Sequence, residues 1–261
     1  MTWGNGTSLR GDTEPAMTTS EDIGVVHAAA GGIVFDRRQV PQPDPAWFEP
    51  ARWASGEVSG RGGRGAVWRV DTPAGRAVLR HYRRGGLVAR LVRDHYLWLG
   101  ASRTRCRREF DLLLRLRALE LPVPVPLAAR WVRRGLAYGA DLLTLEIPDA
   151  RTLAESLPQL DAVRDADGLA SLGRVLARFH RAGVAHADLN AHNIMLDRHG
   201  SWWLIDFDRG RIRVPSTAWI ERTLERLRRS LAKVGGEARA DALFPIIREA
   251  HDSSVSTAHD Y

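Results

Sequence analysis

The chain has 261 residues, 44% of them hydrophobic, with one cysteine and a formal net charge of +7 from 38 Lys+Arg against 31 Asp+Glu. That length holds one large domain or two small lobes, and the apolar fraction suffices for a packed core. A lone Cys106 excludes an internal disulfide and a Cys-cluster zinc site, and no stretch reaches the roughly 18 apolar residues of a membrane span.

The N-terminus lacks the basic and apolar regions of a secretory signal, so a cytoplasmic protein is expected. The positive charge is arginine except for Lys233. It favours anionic partners. No DNA- or RNA-reading motif accompanies it, so nucleic acid is not expected.

Residues 1–30 are read as a disordered extension, because 1–22 are polar and rich in Gly, Thr and Ser. "GGIVFD" (31–36) reads as a short strand. Four prolines exclude regular structure from "PQPDPAWFEP" (41–50). Residues 53–82 read as strand, Gly-rich turn, strand, a hairpin turn at Pro73–Gly75, and a further strand. Residues 102–119 read as a helix, with Phe110, Leu113, Leu114 and Arg117 at helical intervals and Leu121-Pro122 stopping the run. Strands around a turn at Arg134–Gly135 occupy 123–148.

The second half reads as mainly helical. Leu169, Leu172, Val175, Leu176 and Phe179 form one apolar stripe, and Gly183 is placed to end that helix. "NIMLD" and "WWLIDF" are short strands around "RHG". Ile220, Leu224, Leu227, Leu231 and Val234 form a second core-facing stripe. The predicted fold is α+β and bilobal. An N-terminal lobe (31–147) carries an antiparallel sheet and one helix; a mainly helical lobe (148–250) and a disordered tail (251–261) follow.

The densest chemistry lies in "HADLNAHNIMLDRHGSWWLIDFDRG" (186–210). A loop precedes a hairpin, which folds Asp206 at the end of the second strand back toward Asp188 and Asn193. Three oxygen-bearing side chains then converge, a donor set that suits Mg²⁺. Order and spacing resemble the kinase patterns H-R-D-L-x-x-x-N and D-F-G. In that reading Asp188 accepts the proton of the acceptor hydroxyl. Asn193 and Asp206 hold the metal that bridges the phosphates of ATP.

Upstream parts follow in the expected order. Gly60, Gly62 and Gly65 match G-x-G-x-x-G, a turn whose backbone can approach phosphates closely. Arg80 in "AVLR" stands where kinases have lysine, and Glu109 on the next helix is its candidate partner. Backbone around Glu146–Pro148 is placed to meet adenine. Plainer readings stand beside these: a flexible turn for the glycines and a strand-surface position for Arg80. His186 is read as a structural hydrogen-bonding residue. Cys106, within "RTRCRR", is read as a helix residue, with an arginine-stabilised thiolate as the alternative.

Several stretches resemble the 3-deoxy-D-manno-octulosonic acid (Kdo) kinase family: "LRHYRRGGL" (79–87), "LVRDHYLW" (91–98), "PVPVPLAARWVRRGLAYGADLLT" (122–144), "HADLNAHNIMLD" and "WLIDFDRGR". The resemblance covers roughly residues 31–232 and includes arginine at the lysine position. It implies a protein-kinase-like fold, and ATP-dependent phosphorylation of the 4-hydroxyl of Kdo on a lipid A precursor. It places the protein at the cytoplasmic face of the inner membrane. Independently, only 55 residues follow Asp206, no A-P-E motif occurs there, and Asp208 replaces the glycine of D-F-G. These points disfavour a protein substrate. Other small-molecule kinases of this fold, of heptose or aminoglycoside type, and a non-catalytic nucleotide-binding scaffold remain as alternatives. Cations and apolar residues alternate through 80–108, so this segment, with Arg90, Arg93 and Trp98, is expected to dock on an anionic membrane.

Overall fold

The computed structural model of the chain describes residues 20–53, 67–82 and 96–256. In chain order the elements are β1 (Ile23–Ala28), β2 (Gly31–Asp36), β3 (Val67–Thr72), β4 (Gly75–His81), β5 (Tyr96–Leu97), α1 (Arg105–Ala118), β6 (Pro126–Arg134), β7 (Ala137–Leu145), β8 (Arg151–Thr152), α2 (Leu153–Ser156), α3 (Ala166–Arg181), β9 (Val184–Ala185), β10 (Ile194–Leu196), β11 (Trp202–Leu204), β12 (Arg211–Ile212), α4 (Thr217–Gly235) and α5 (Glu237–Ser256).

The N-terminal region is an antiparallel sheet in the order β1-β2-β6-β7-β4-β3, with β5 also on β7. Period-two alternation along its strands gives two apolar faces. Leu79, Leu127, Leu143, Ile33 and Phe35 point to one face, covered by Val40, Trp47 and Phe48. The opposite face, with Val34, Trp131 and Leu142, packs on Phe110, Leu113 and Leu116 of α1. The proline-rich stretch is therefore a lid on the sheet. It forms two 3₁₀ turns, Pro45–Phe48 and Pro50–Trp53, the first capped by the Asp44 side chain.

Two boundaries differ from the sequence reading. Residues 23–28, within the expected disordered extension, form β1 and pair in register with β2. Residues 251–256, within the expected disordered tail, are the last turns of α5.

In the C-terminal region α3, α4 and α5 pack together. Leu224, Leu227 and Leu231 of the predicted stripe are buried, whereas Val234 at its end is exposed. α5 crosses α3 so closely that a Cβ on Gly173 would lie 2.2 Å from the Ile247 carbonyl. Gly183 ends α3 at φ +70°, as its position predicts, and lets the chain turn under Arg213. The β10–β11 hairpin extends from the loop after β9. Asp197 builds its turn by accepting the backbone N–H groups of His199 (2.8 Å) and Ser201 (2.9 Å), and Gly200 supplies φ +78°. Leu204 N–H donates to the Pro122 carbonyl, which joins the hairpin to the segment after α1.

Candidate active site

Arg80 lies on β4 and points to the α1 face of the sheet. Its guanidinium donates to Glu109 of α1 and to Asp206, and contacts the Tyr82 hydroxyl at 3.0 Å. Tyr82, two residues on and therefore on the same face, donates to Glu109 Oε2 at 2.5 Å. Glu109 Oε1 accepts the backbone N–H of Phe207 at 3.0 Å. One buried carboxylate thus joins a strand, a helix and the residue after Asp206. The predicted Arg80–Glu109 pair is present, and the structure adds Asp206 to it.

Burial raises the Arg80 desolvation cost, yet Glu109 and Asp206 hold its pKa well above the ordinary arginine value. Burial likewise pushes up the Glu109 carboxyl, opposed by Arg80. At Asp206 burial acts upward, but the Arg80 guanidinium outweighs it and the carboxyl falls below its usual range. The network pairs the buried Glu109 carboxylate with the half-buried Arg80, the condition under which a buried charge is tolerated, and Arg80 carries the pairing outward to the exposed Asp206.

Asp206 adopts φ +62°, a left-handed conformation that costs a non-glycine residue about 1–3 kcal/mol. Its neighbours impose it. Ile205 N–H donates to the Asn193 carbonyl at 3.0 Å. His186 Nε2 donates to the Ile205 carbonyl at 2.9 Å. Phe207 is buried between Phe179 and His186, with ring centroids at 5.9 and 4.7 Å. His186 Nδ1 accepts the Asp188 N–H at 3.2 Å, so only Nε2 carries a hydrogen and the ring is neutral; burial holds its pKa below the ordinary value. His186 is structural, as the sequence suggests.

Asn193 Nδ2 donates to the Asp188 carbonyl at 2.9 Å, which turns Oδ1 away from that bond. Asp188 itself is exposed, with Arg226 Nη1 at 3.6 Å from Oδ1. Asn193 and Asp206 are therefore tied together through Ile205, and Asp188 shares its loop with Asn193, while Asp206 follows the β10–β11 hairpin. No group of three or more His, Cys, Asp and Glu side chains suited to a metal occurs among the described residues. An amide oxygen and one carboxylate still fit Mg²⁺, which binds through one or two protein oxygens and takes its other ligands from phosphate and water.

Asp208, in the glycine position of D-F-G, pairs with Arg105 at the start of α1; Arg105 Nε donates at 2.8 Å. That arginine also lies over the rings of Tyr96 and Tyr82, at 4.7 and 5.7 Å. The extra carboxylate is a second tie between α1 and the segment after the hairpin. Cys106 beside it is fully buried and its thiol is pushed up to about 12 by burial, which rules out the thiolate alternative.

Glu146 lies between regions, with its side chain on Arg69 (2.7 Å) and near Arg76 (3.7 Å) and its N–H on the Arg76 carbonyl. A cavity of about 280 Å³ lies beside it, bounded by Val125, Pro148 and Trp203. Gly60, Gly62 and Gly65 lie outside the described residues, as do Arg90 and Arg93. Trp98 is half-buried. It packs edge-on against Tyr138 (6.0 Å) with Arg133 above it (5.5 Å), while Leu97 and Leu99 are exposed. The sequence reading missed Tyr82, Arg105 and Arg226. Only Tyr82 carried a local signal, its i, i+2 relation to Arg80 on a strand.

A basic strand residue, a helix glutamate and an aspartate after a C-terminal hairpin, joined across a sheet and a helical bundle, define the protein-kinase-like α+β fold. Within that fold the chain belongs to the lipopolysaccharide kinase (Kdo/WaaP) family, whose model matches residues 47–244. It is 50% identical over 226 residues to a 3-deoxy-D-manno-octulosonic acid kinase of Stenotrophomonas maltophilia (strain R551-3), covering 85% of this chain and 90% of that protein. Against the enzyme of the same name from Xanthomonas campestris pv. campestris (strain B100) it is 52% identical over 207 residues, 79% of this chain and 82% of the relative.

Proposed function

We propose that this kinase transfers the γ-phosphoryl group of ATP to the 4-hydroxyl of a Kdo residue on a lipid A precursor in lipopolysaccharide core synthesis. The observation that carries the reading is the network of Arg80, Glu109 and Asp206, closed onto the loop that holds Asp188 and Asn193. Relatives at about half identity bear the name 3-deoxy-D-manno-octulosonic acid kinase.

Asp188 is the candidate base. It is exposed, its backbone is held by His186 and by Asn193, and its side chain makes no hydrogen bond to Arg80, Glu109 or Asp206. In that place it orients the acceptor hydroxyl and receives its proton. Asn193 Oδ1 and the Asp206 carboxylate would hold Mg²⁺, which when bound neutralises phosphate charge. Arg80, already between Glu109 and Asp206, is placed to grip phosphate oxygens with its planar fork. The Ile147 N–H and the carbonyls of Glu146 and Pro148 are the backbone groups offered to adenine. We divide the lobes near Ile147, where β7 gives way to the connection.

Asp188→Asn tests the assignment. A general base contributes about 10²–10⁴-fold, so kcat should fall by that order while the KM for ATP changes little. A folded variant with most of its activity intact would sink it.

No described helix is long and apolar enough to cross a membrane. We place the protein on the anionic cytoplasmic face of the inner membrane through Leu97 and Leu99, 63% and 60% exposed beside the arginine-rich segment. Leu97→Asp with Leu99→Asp should reduce co-sedimentation with anionic liposomes; unchanged sedimentation would move the contact elsewhere.

A further inference from the structure

A cavity of about 300 Å³ opens beside the catalytic loop, between β12 and α4, and five arginines line it: Arg209, Arg211, Arg213, Arg222 and Arg226. No Asp or Glu lines it. Arg226 donates to the Ala187 carbonyl and lies 3.6 Å from Asp188; Arg213 sits over the Trp219 ring at 5.7 Å. Arg209, Arg211 and Arg222 make no ion pair with any described carboxylate. Many arginines elsewhere behave otherwise: Arg80, Arg105, Arg130, Arg228 and Arg248 each hold an Asp or Glu.

The arginine side chains are exposed, and the backbone that carries them is fixed. Arg211 pairs in register with Ala185, and Arg213 N–H donates to the Gly183 carbonyl at 2.9 Å. Only glycine allows that approach, since a Cβ at 183 would lie 2.1 Å from the Arg213 carbonyl oxygen. Arg222 and Arg226 are one turn apart on α4, where like charges repel. A concave wall of one sign concentrates its field inside the cavity, and guanidinium forks match carboxylate and phosphate geometry.

We propose that this cavity seats the carboxylate of the acceptor's acidic sugar, with Arg211 and Arg222 as its principal ligands. The proposal rests on the acceptor reading given above and sharpens it. Arg226 borders both the cavity and Asp188, so a sugar whose acid group enters the cavity presents its ring hydroxyls at the candidate base. A neutral heptose offers nothing to these cations, and a polycationic aminoglycoside is repelled by them. An anionic acceptor alone among the alternatives uses what is there.

The test uses the full chain and three acceptors: a Kdo-containing lipid A precursor, its carboxyl methyl ester, and the same lipid stripped of its lipid A phosphates. In the wild type the ester should raise the acceptor KM tenfold or more. Arg211→Gln with Arg222→Gln should raise KM for the acid acceptor to a similar extent, use acid and ester equally, and keep the KM for ATP within twofold. Arg211→Lys with Arg222→Lys, which keeps charge but loses the fork, should fall between. The proposal is overturned if the Gln variant still discriminates acid from ester, or if phosphate removal and not esterification raises KM. If the wild type phosphorylates no Kdo acceptor, the acceptor reading fails by itself. The cavity is then judged by calorimetric titration with free Kdo: a tenfold weaker affinity in the Gln variant supports it, and equal affinity overturns it.

Discussion

Two polar networks reach into the interior, one between sheet and helices and one within the helical bundle, and they solve burial differently. Between sheet and helices, Arg80, Tyr82, Glu109 and Asp206 form a charged network that spans 126 residues of sequence. Within the helical bundle, His180 of α3 and His251 of α5 share a hydrogen bond of 2.8 Å. Asp252 can only accept, so the His251 Nδ1 at 2.8 Å from it carries the hydrogen, and His251 Nε2 is left to accept from His180 Nδ1–H. Burial, then His251, lowers the His180 pKa to about 3, so this network is neutral at its buried end. Charge is kept where phosphate and metal chemistry is proposed to need it. Where only helix packing is at stake, the same need for hydrogen bonds is met without it.

The strongest way to break the contrast is Arg80→Met. Glu109, 3% exposed, then loses its cation, and stranding a buried charge costs about 3–5 kcal/mol. Urea denaturation should show a loss of that order together with loss of activity. A variant as stable as the wild type would mean that the network carries no net burial penalty.

The neutral pair predicts a pH dependence of opposite origin. His180 takes up a proton near pH 6.5 when unfolded but only near pH 3 when folded, so between these values the unfolded state binds more protons. Its contribution is complete about a unit above pH 6.5 and is lost as pH falls, with a slope that approaches about 1.4 kcal/mol per unit below pH 6. Wild type should therefore lose about 2 kcal/mol more than His180→Gln between pH 6.5 and pH 5. Parallel slopes for the two proteins would refute it.

Much of the charged network was legible and little of the neutral one. Asp188, Asn193 and Asp206 stand out because catalysis ties residue types to a local spacing, and Arg80 and Glu109 follow from their order. Periodicity gave α1, α3 and most of α4. Strand β1 was missed because four of its six residues are exposed; its place comes from backbone pairing with β2, which leaves no side-chain pattern. The end of α5 was missed for a related reason. Pro245 interrupts it, and its buried face, Ala240, Leu243, Ile247 and His251, ends in a histidine that looks polar until its partner is known. Arg105–Asp208 joins residues 103 apart, and nothing local announces it. For Trp98 the sequence offered an aromatic among arginines, and its packing on Tyr138 and Arg133 could not be read from that pattern.

Arg80→Lys sharpens the comparison within the charged network. Lysine keeps the charge but is a point donor, and it cannot present a planar fork to Glu109 and Asp206 together. About a tenfold loss in kcat/KM for ATP is expected, equivalent to about 1.4 kcal/mol, with a smaller loss of stability than in Arg80→Met. Wild-type kcat/KM would show that charge alone matters there.

The smallest effect, and the most specific, belongs to Tyr82→Phe. The ring stays beneath the Arg80 guanidinium, whose carbon lies 4.6 Å from the ring centroid, so packing and the cation–π contact persist. What goes is the hydroxyl that donates to Glu109 Oε2 at 2.5 Å. Glu109 keeps Arg80 and the Phe207 N–H, so no charge is left unpaired; the hydroxyl's second bond, accepted from Arg80 at 3.0 Å, goes as well, and each lost hydrogen bond to a charged group is worth about 1.5–3 kcal/mol at most. The remaining donors relax toward the vacated oxygen, which places the expected change near 1 kcal/mol. Because Phe207 follows Asp206 and is fixed by the same carboxylate, part of that loss should appear as a higher KM for Mg·ATP while the acceptor KM stays constant. A change in acceptor KM instead would show that Tyr82 serves the acceptor side, and would dissolve the division between the two networks and the arginine cavity.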